Sequence, residues 1–112
     1  MAKYENQIKG DFEDVLSTLH TNILERFSAN LVDESNCYFG DVKVGVRVYD
    51  KYYMRNGNRT SLSLTVVGYG DDLMISAIGS GGGSGILLNF SLGAESDMVS
   101  IVENIISGME RK

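Results

Sequence analysis

The chain contains no proline and no tryptophan, and only one cysteine and one histidine among its 112 residues. A lone Cys37 excludes an internal disulfide, and one cysteine with one histidine cannot supply the four ligands of a structural zinc site. Without proline, the turns have to be built from the 13 glycines and from Asn and Asp. No apolar run approaches the ~18 residues of a membrane-spanning helix, and the opening MAKYENQIKG carries no signal-peptide apolar region. The expectation is a cytosolic protein with no membrane partner. Basic charge is also in short supply. Fifteen acids against ten bases leave a net charge of −5, which makes nucleic acid an unfavourable partner.

What is present is an ordinary globular composition, 43% hydrophobic and 22% charged, at a length expected to form a single domain over 1–112. Residues 2–9 alternate, with Tyr4, Asn6 and Ile8 on one side and Lys3, Glu5, Gln7 and Lys9 on the other. This is the period of a half-buried strand, and its charge suits a sheet edge. Asp11 is a good helix N-cap, and Phe12, Val15, Leu16, Leu19, Ile23 and Phe27 follow at helical spacing, predicting a helix over about 11–28. Residues 29–39 read as a strand interrupted at Asp33 to Asn36 by a bulge or loop, ending at a Gly40-Asp41 turn.

The longest strand signal is the hairpin over 41–70, which holds five of the ten basic residues. Val42, Val44, Val46 and Val48 share one face of its first strand, and Leu62, Leu64 and Val66 share one face of its second. Placing both sets on one apolar face requires a three-residue loop at Asn56 to Asn58, which pairs Val48 with Val66 and sets Gly45 opposite Tyr69. A turn at Gly70-Asp71 leads to a strand over 73–79. The run GSGGGSG follows, then a sixth strand over 86–92 and a closing helix over 94–109. The expected fold is α+β: a two-layer sandwich of order β-α-β-β-β-β-β-α, mostly antiparallel, with both helices on one sheet face.

The stretches KYENQIKGDFEDVL, GDVKVGVRVYDKYY and NRTSLSLTVVGYGDDLMISAIGSGG resemble a small bacterial family of about this length known only as a domain of unknown function. The likeness covers almost the whole chain. It implies the same α+β fold and a bacterial cytosolic origin, and it carries no catalytic signature and no site residues.

If the valines are the core face, the odd-numbered residues of the hairpin's first strand point outward, with Lys43, Arg47, Tyr49, Lys51 and Tyr53 in one row. Same-face neighbours along a strand are ~6.6 Å apart, so this is a continuous cation–aromatic row beside Ser61, Ser63 and Thr65. It suits an anionic, planar, nucleotide-like ligand, with Arg and Lys meeting phosphate or carboxylate and Tyr supplying stacking area. A solvated face suits it better, and self-association burying Tyr49, Tyr53, Val67, Met74 and Ile78 between two sheets comes between the two. The glycine run lacks a following Lys-Ser/Thr and a following helix, so it is neither a P-loop nor a dinucleotide fingerprint. His20 sits at the boundary of the helix's apolar stripe with no partner identifiable in sequence. A Cys37–His20 dyad would have to be assembled by folding. Asp50, between Val48 and Tyr52, is either turned outward by a bulge or a buried carboxylate that needs a partner. No metal, cofactor or catalytic set can be named. The reading is a non-enzymatic binding or assembly domain, homodimeric, with a small anionic-ligand binder as the alternative.

Overall fold

A computed structural model describes residues 2–26, 28–53, 58–81 and 99–109. Strand β1 (Ala2–Lys9) is followed by helix α1 (Phe12–Arg26), then β2 (Asn30–Phe39), β3 (Val42–Tyr53), β4 (Asn58–Tyr69) and β5 (Asp72–Gly81). A second helix, α2, occupies residues 99–109. The fold is α+β. The five strands form one antiparallel sheet in the order β1-β5-β4-β3-β2. The expected sixth strand over 86–92, most of the glycine run and the first turn of the expected closing helix lie outside the described residues.

Local chemistry accounts for the boundaries. The Asp11 side chain accepts a hydrogen bond from the Asp14 backbone N–H at 3.0 Å, so α1 starts where its cap is. Gly40 and Gly70 each have φ near +60°, and each opens a two-residue turn, between the pairs Phe39–Val42 and Tyr69–Asp72. A positive φ at the first turn position alone is the signature of a type II′ turn, which glycine enters without strain. The interruption expected in β2 is a bulge: the register slips between Leu31 and Asp33. β1 and β2 are the two sheet edges, as the charge of β1 suggested.

The register of β3 on β4 differs from the expected one. Tyr53 pairs with Asn58, so four residues separate the strands instead of three, and Val48 lies opposite Ser63. Gly45 faces Val66 rather than Tyr69. The buried face of β3 is therefore its odd-numbered one, and the valines lie on the other face of the sheet. The physical reason is the helix. α1 lies so close to the sheet that a Cβ on Gly45 would come within 2.6 Å of Leu16 Cδ2, and one on Gly68 within 2.9 Å of Phe12 Cδ1. Two side-chain-free positions, diagonal neighbours on adjacent strands, form the floor on which the helix rests.

That floor fixes the core. Leu62, Leu64, Val66, Ile75 and Ala77 of the central strands are fully buried. Leu19 and Ile23 of α1 and Val102 and Ile106 of α2 join them in one apolar cluster. Leu and Ile bury more apolar area than Val, so this set outweighs the valine row in the choice of inner face. The opposite face, hereafter the open face, has no comparable cover among the described residues: Met74 and Ile78 keep 36% and 37% of their surface exposed.

Candidate functional site

Of the expected cation–aromatic row, Arg47 and Tyr49 do not line a free surface. Tyr49 is fully buried beneath α1, and Arg47 is 9% exposed on the same face of β3. Lys43 turns toward the first turn of the helix, with Nζ 3.8 Å from Glu13 Oε1 and 5.9 Å from the centre of the Phe12 ring. Lys51 is half-buried opposite Thr60, and the Tyr53 side chain lies outside the described residues. Ser61, Ser63 and Thr65 stand beside the valines, not beside this row. For Arg47 and Tyr49 the expected outward face is corrected: β3 alternates, but its odd-numbered residues share the buried face of Leu62, Leu64 and Val66.

What Arg47 and Tyr49 build instead is a polar cluster between α1, β3 and β2. The Arg47 guanidinium donates to Asn36 Oδ1 at 2.9 Å and to the Val46 carbonyl at 3.0 Å, and its Nε is 3.1 Å from Glu34 Oε1. Every one of these partners is on β2 or β3, so the cluster ties the edge strand to its neighbour. Tyr49 Oη is 2.7 Å from His20 Nδ1, which couples α1 to the sheet. Burial drives the Tyr49 phenol well above the ordinary tyrosine range, with a small opposing effect of Arg47. His20 has a partner after all, one the sequence could not reveal because 29 residues separate the two. Cys37 is exposed on the open face opposite Val44, whereas His20 belongs to the helix side, so the two cannot form a dyad. Among the described residues, no group of three or more His, Cys, Asp or Glu side chains converges as a metal site would.

The surface with unsatisfied chemistry is the open face. Its composition can be read in cross-strand rungs from the paired registers. One rung carries Phe39, Val42, Tyr69, Asp72 and Lys9; the next carries Cys37, Val44, Val67, Met74 and Gln7. Then come Ser35, Val46, Thr65, Ser76 and Glu5, and after them Asp33, Val48, Ser63, Ile78 and Lys3. The β3 valines with Val67, Met74 and Ile78 are the apolar part of this face, interrupted on β4 and β5 by Ser63, Thr65, Ser76 and Asp72. The edges carry Lys3, Glu5 and Lys9 on β1 and Asp33 on β2. Phe39 and Tyr69 are 84% and 62% exposed. A shallow groove of about 710 Å³ runs over Gln7, Lys9, Val67, Tyr69, Asp72 and Met74, all on this face. Asp50, for which either a bulge or a partnered buried carboxylate was expected, follows the second: its side chain is 20% exposed and Arg59 pairs with it. It lies at the end of this face, 3.7 Å from Arg59 Nε, in an unbroken β3 register.

Val67, Met74 and Ile78, three of the five residues expected at a sheet-to-sheet contact, are together on the open face, while Tyr49 is not. The sequence signal for this surface was available in the Ser/Thr alternation of β4. Small hydroxyl side chains at 61, 63 and 65 mark a face that a core would not bury.

No helix among the described residues is long and apolar enough to cross a membrane. No curated protein and no solved structure matches the chain. One family profile does, over residues 1–110, and the chain belongs to that family, described as a Family of unknown function (DUF6054).

Proposed function

We propose that the protein is a non-enzymatic assembly domain of the bacterial cytosol that works as a homodimer, joined through the open face of its sheet. The observation that carries this reading is the apolar part of that face: half-buried Val42, Val44, Val46, Val48 and Val67 with Met74 and Ile78, 36% and 37% exposed. They lie across three adjacent strands that also carry Ser63, Thr65 and Ser76, with exposed Phe39 and Tyr69 at one end. Contiguous exposed apolar surface on a small domain marks an interaction site. The edges are poorer candidates. β1 alternates charges along its length, and β2 carries a bulge with Asp33 and Glu34 beside it, both of which discourage strand addition.

The face is also large enough. Five strands spaced ~4.8 Å apart and some nine residues rising ~3.3 Å each give a footprint of roughly 700 Å². A standard interface takes ~800 Å² from each partner, so two such faces packed ~10 Å apart make a dimer of ordinary size. Sedimentation at micromolar concentration is expected to give a dimer. Val67→Glu, a charge placed in the middle of the face, is expected to give a folded monomer with an unchanged far-UV spectrum. A wild-type chain that stays monomeric at 100 µM (about the upper end of a useful assay, where even weak ~10 µM contacts populate) removes the reading.

A second reading is favoured by the groove over Gln7, Lys9, Val67, Tyr69, Asp72 and Met74, whose size is within the range of small-ligand sites. An anionic small molecule would meet only Lys9 there, and Lys9 already pairs with Asp71 and Asp72. Native mass spectrometry separates the two readings, because it reports subunit count and retained ligand together.

A further inference from the structure

On the proposal that two copies meet through the open face, we infer that they are related by a two-fold axis running along β4, so that β1 of each copy lies over β2 of its partner. A face-to-face pair of sheets has two simple two-fold choices, along the strands or across them. An axis along the central strand β4 keeps each rung at its own height and reverses the strand order. β5 then lies over the partner's β3, and β4 lies over itself.

The rungs distinguish the choices. With the axis along β4, Met74 lies over the partner's Val44, Ile78 over the partner's Val48, and Val67 over its own counterpart. Apolar side chains meet at these three positions, while Asp72 lies over the partner's Val42 and Ser76 over the partner's Val46. The axis across the strands also stacks valine on valine along β3, so the rim decides. At the rim, Lys3 lies over the partner's Asp33, because both belong to one rung, and Lys9 lies over the exposed ring of the partner's Phe39. Each contact occurs twice by symmetry. An axis across the strands instead stacks β1 on β1 and β2 on β2, which brings Lys3 and Lys9 toward the partner's lysines and leaves Asp33 without a cation. Like charges across an interface cost affinity, and complementary ones fix register. Aligned sheets cross at about 30°, which displaces the edges by roughly one rung, a distance a lysine side chain spans.

The test is a charge swap read by sedimentation equilibrium. Lys3→Glu alone and Asp33→Lys alone are each expected to weaken the dimer by roughly tenfold, since each places two like-charge pairs at the rim. The double variant Lys3→Glu with Asp33→Lys is expected to return to within about threefold of wild type. A second measurement avoids dependence on the rim. In a Cys37→Ser background, copies carrying Val44→Cys and copies carrying Met74→Cys are joined by a short bis-maleimide only when mixed. Self-linking of either variant alone, or a charge swap that does not recover, overturns the axis along β4. If wild type dimerises and Val67→Glu abolishes the dimer while these tests fail, the arrangement is wrong and the self-association stands. If wild type is monomeric, both fall.

Discussion

The hydrogen bond between Tyr49 and His20 makes a prediction that can be worked to a pH. Tyr49→Phe removes one oxygen from a fully buried ring and leaves His20, which is half-exposed, free to bond water. The cost at neutral pH is therefore that of one hydrogen bond with a solvent-accessible partner, about 0.5–1.5 kcal/mol. Above pH ~10 this advantage erodes and then reverses. Burial raises the Tyr49 pKa in the fold, so its stabilising contribution is complete below the unfolded-state value of ~10 and is lost as pH rises past it, when only the unfolded chain ionises. The loss follows RT ln(1 + 10^(pH−10)), approaching ~1.4 kcal/mol per pH unit. It equals a 1 kcal/mol hydrogen bond about 0.65 units above the unfolded pKa, so wild type and Tyr49→Phe should be equally stable near pH ~10.6, with a range of ~10.1–11 for the bond energies above. Urea unfolding by circular dichroism at five or six pH values between 7 and 11 checks this, provided both chains are below the dimerisation concentration. Curves that run parallel to pH 11 would show that the phenol ionises in the fold as it does in the unfolded chain, and would refute its burial beneath α1.

Other substitutions test the inverted face. Leu64→Ala should cost ~2–5 kcal/mol in denaturant unfolding, because Leu64 is fully buried, whereas Val46→Ala on the open face should cost under ~1 kcal/mol in the monomer and more as concentration rises. Gly68→Ala should destabilise by ~1–3 kcal/mol, since the added methyl meets the Phe12 ring at 2.9 Å and Leu73 at 3.0 Å. Gly45→Ala should be milder, because its one close approach, at 2.6 Å, is to the end of the Leu16 side chain, which can rotate away, while Phe12 Cζ at 3.4 Å and Asn36 Oδ1 at 3.5 Å are ordinary contacts. Arg47→Met should change stability by no more than ~1 kcal/mol. Its ion-pair partner Glu34 is half-exposed and can return to water, so the pair's removal does not strand a buried charge. A loss of several kcal/mol in Arg47→Met would mean that the cluster, not the apolar core, orders β2.

Much of the fold was legible in residues whose meaning is local. Asp11 announced the helix, the Gly40-Asp41 and Gly70-Asp71 pairs announced two-residue turns, and the charge of residues 2–9 announced an edge. The β4–β5 face followed from the short turn at Gly70, since a two-residue link leaves no freedom to choose which of Leu62, Leu64, Leu73 and Ile75 point together. The β3 face did not follow, because it depended on a longer connection and on a helix that arrives from elsewhere in the chain. Four valines in alternation look like core only if hydrophobicity is weighed one strand at a time. Val is also a preferred strand residue on an open face, and Tyr49, with a ring to fill space and a hydroxyl for His20, is the stronger core residue.

Gly45 and Gly68 held the deciding information. Both are strand-interior glycines, which weaken a sheet unless something must approach closely, and both fall on the same face in the observed register and in those shifted from it by an even number of residues; here Lys43 pairs with Gly68 and Gly45 follows two residues on. In the register with Val48 opposite Val66, Gly45 and Gly68 occupy opposite faces, and one helix could not rest on both. A pair of otherwise costly glycines therefore constrains the register more tightly than a row of valines does. The same constraint hands the valines to the outside. Closing α1 onto the glycine floor leaves a partly apolar sheet face with charged margins, and the assembly proposed above is the consequence of that choice.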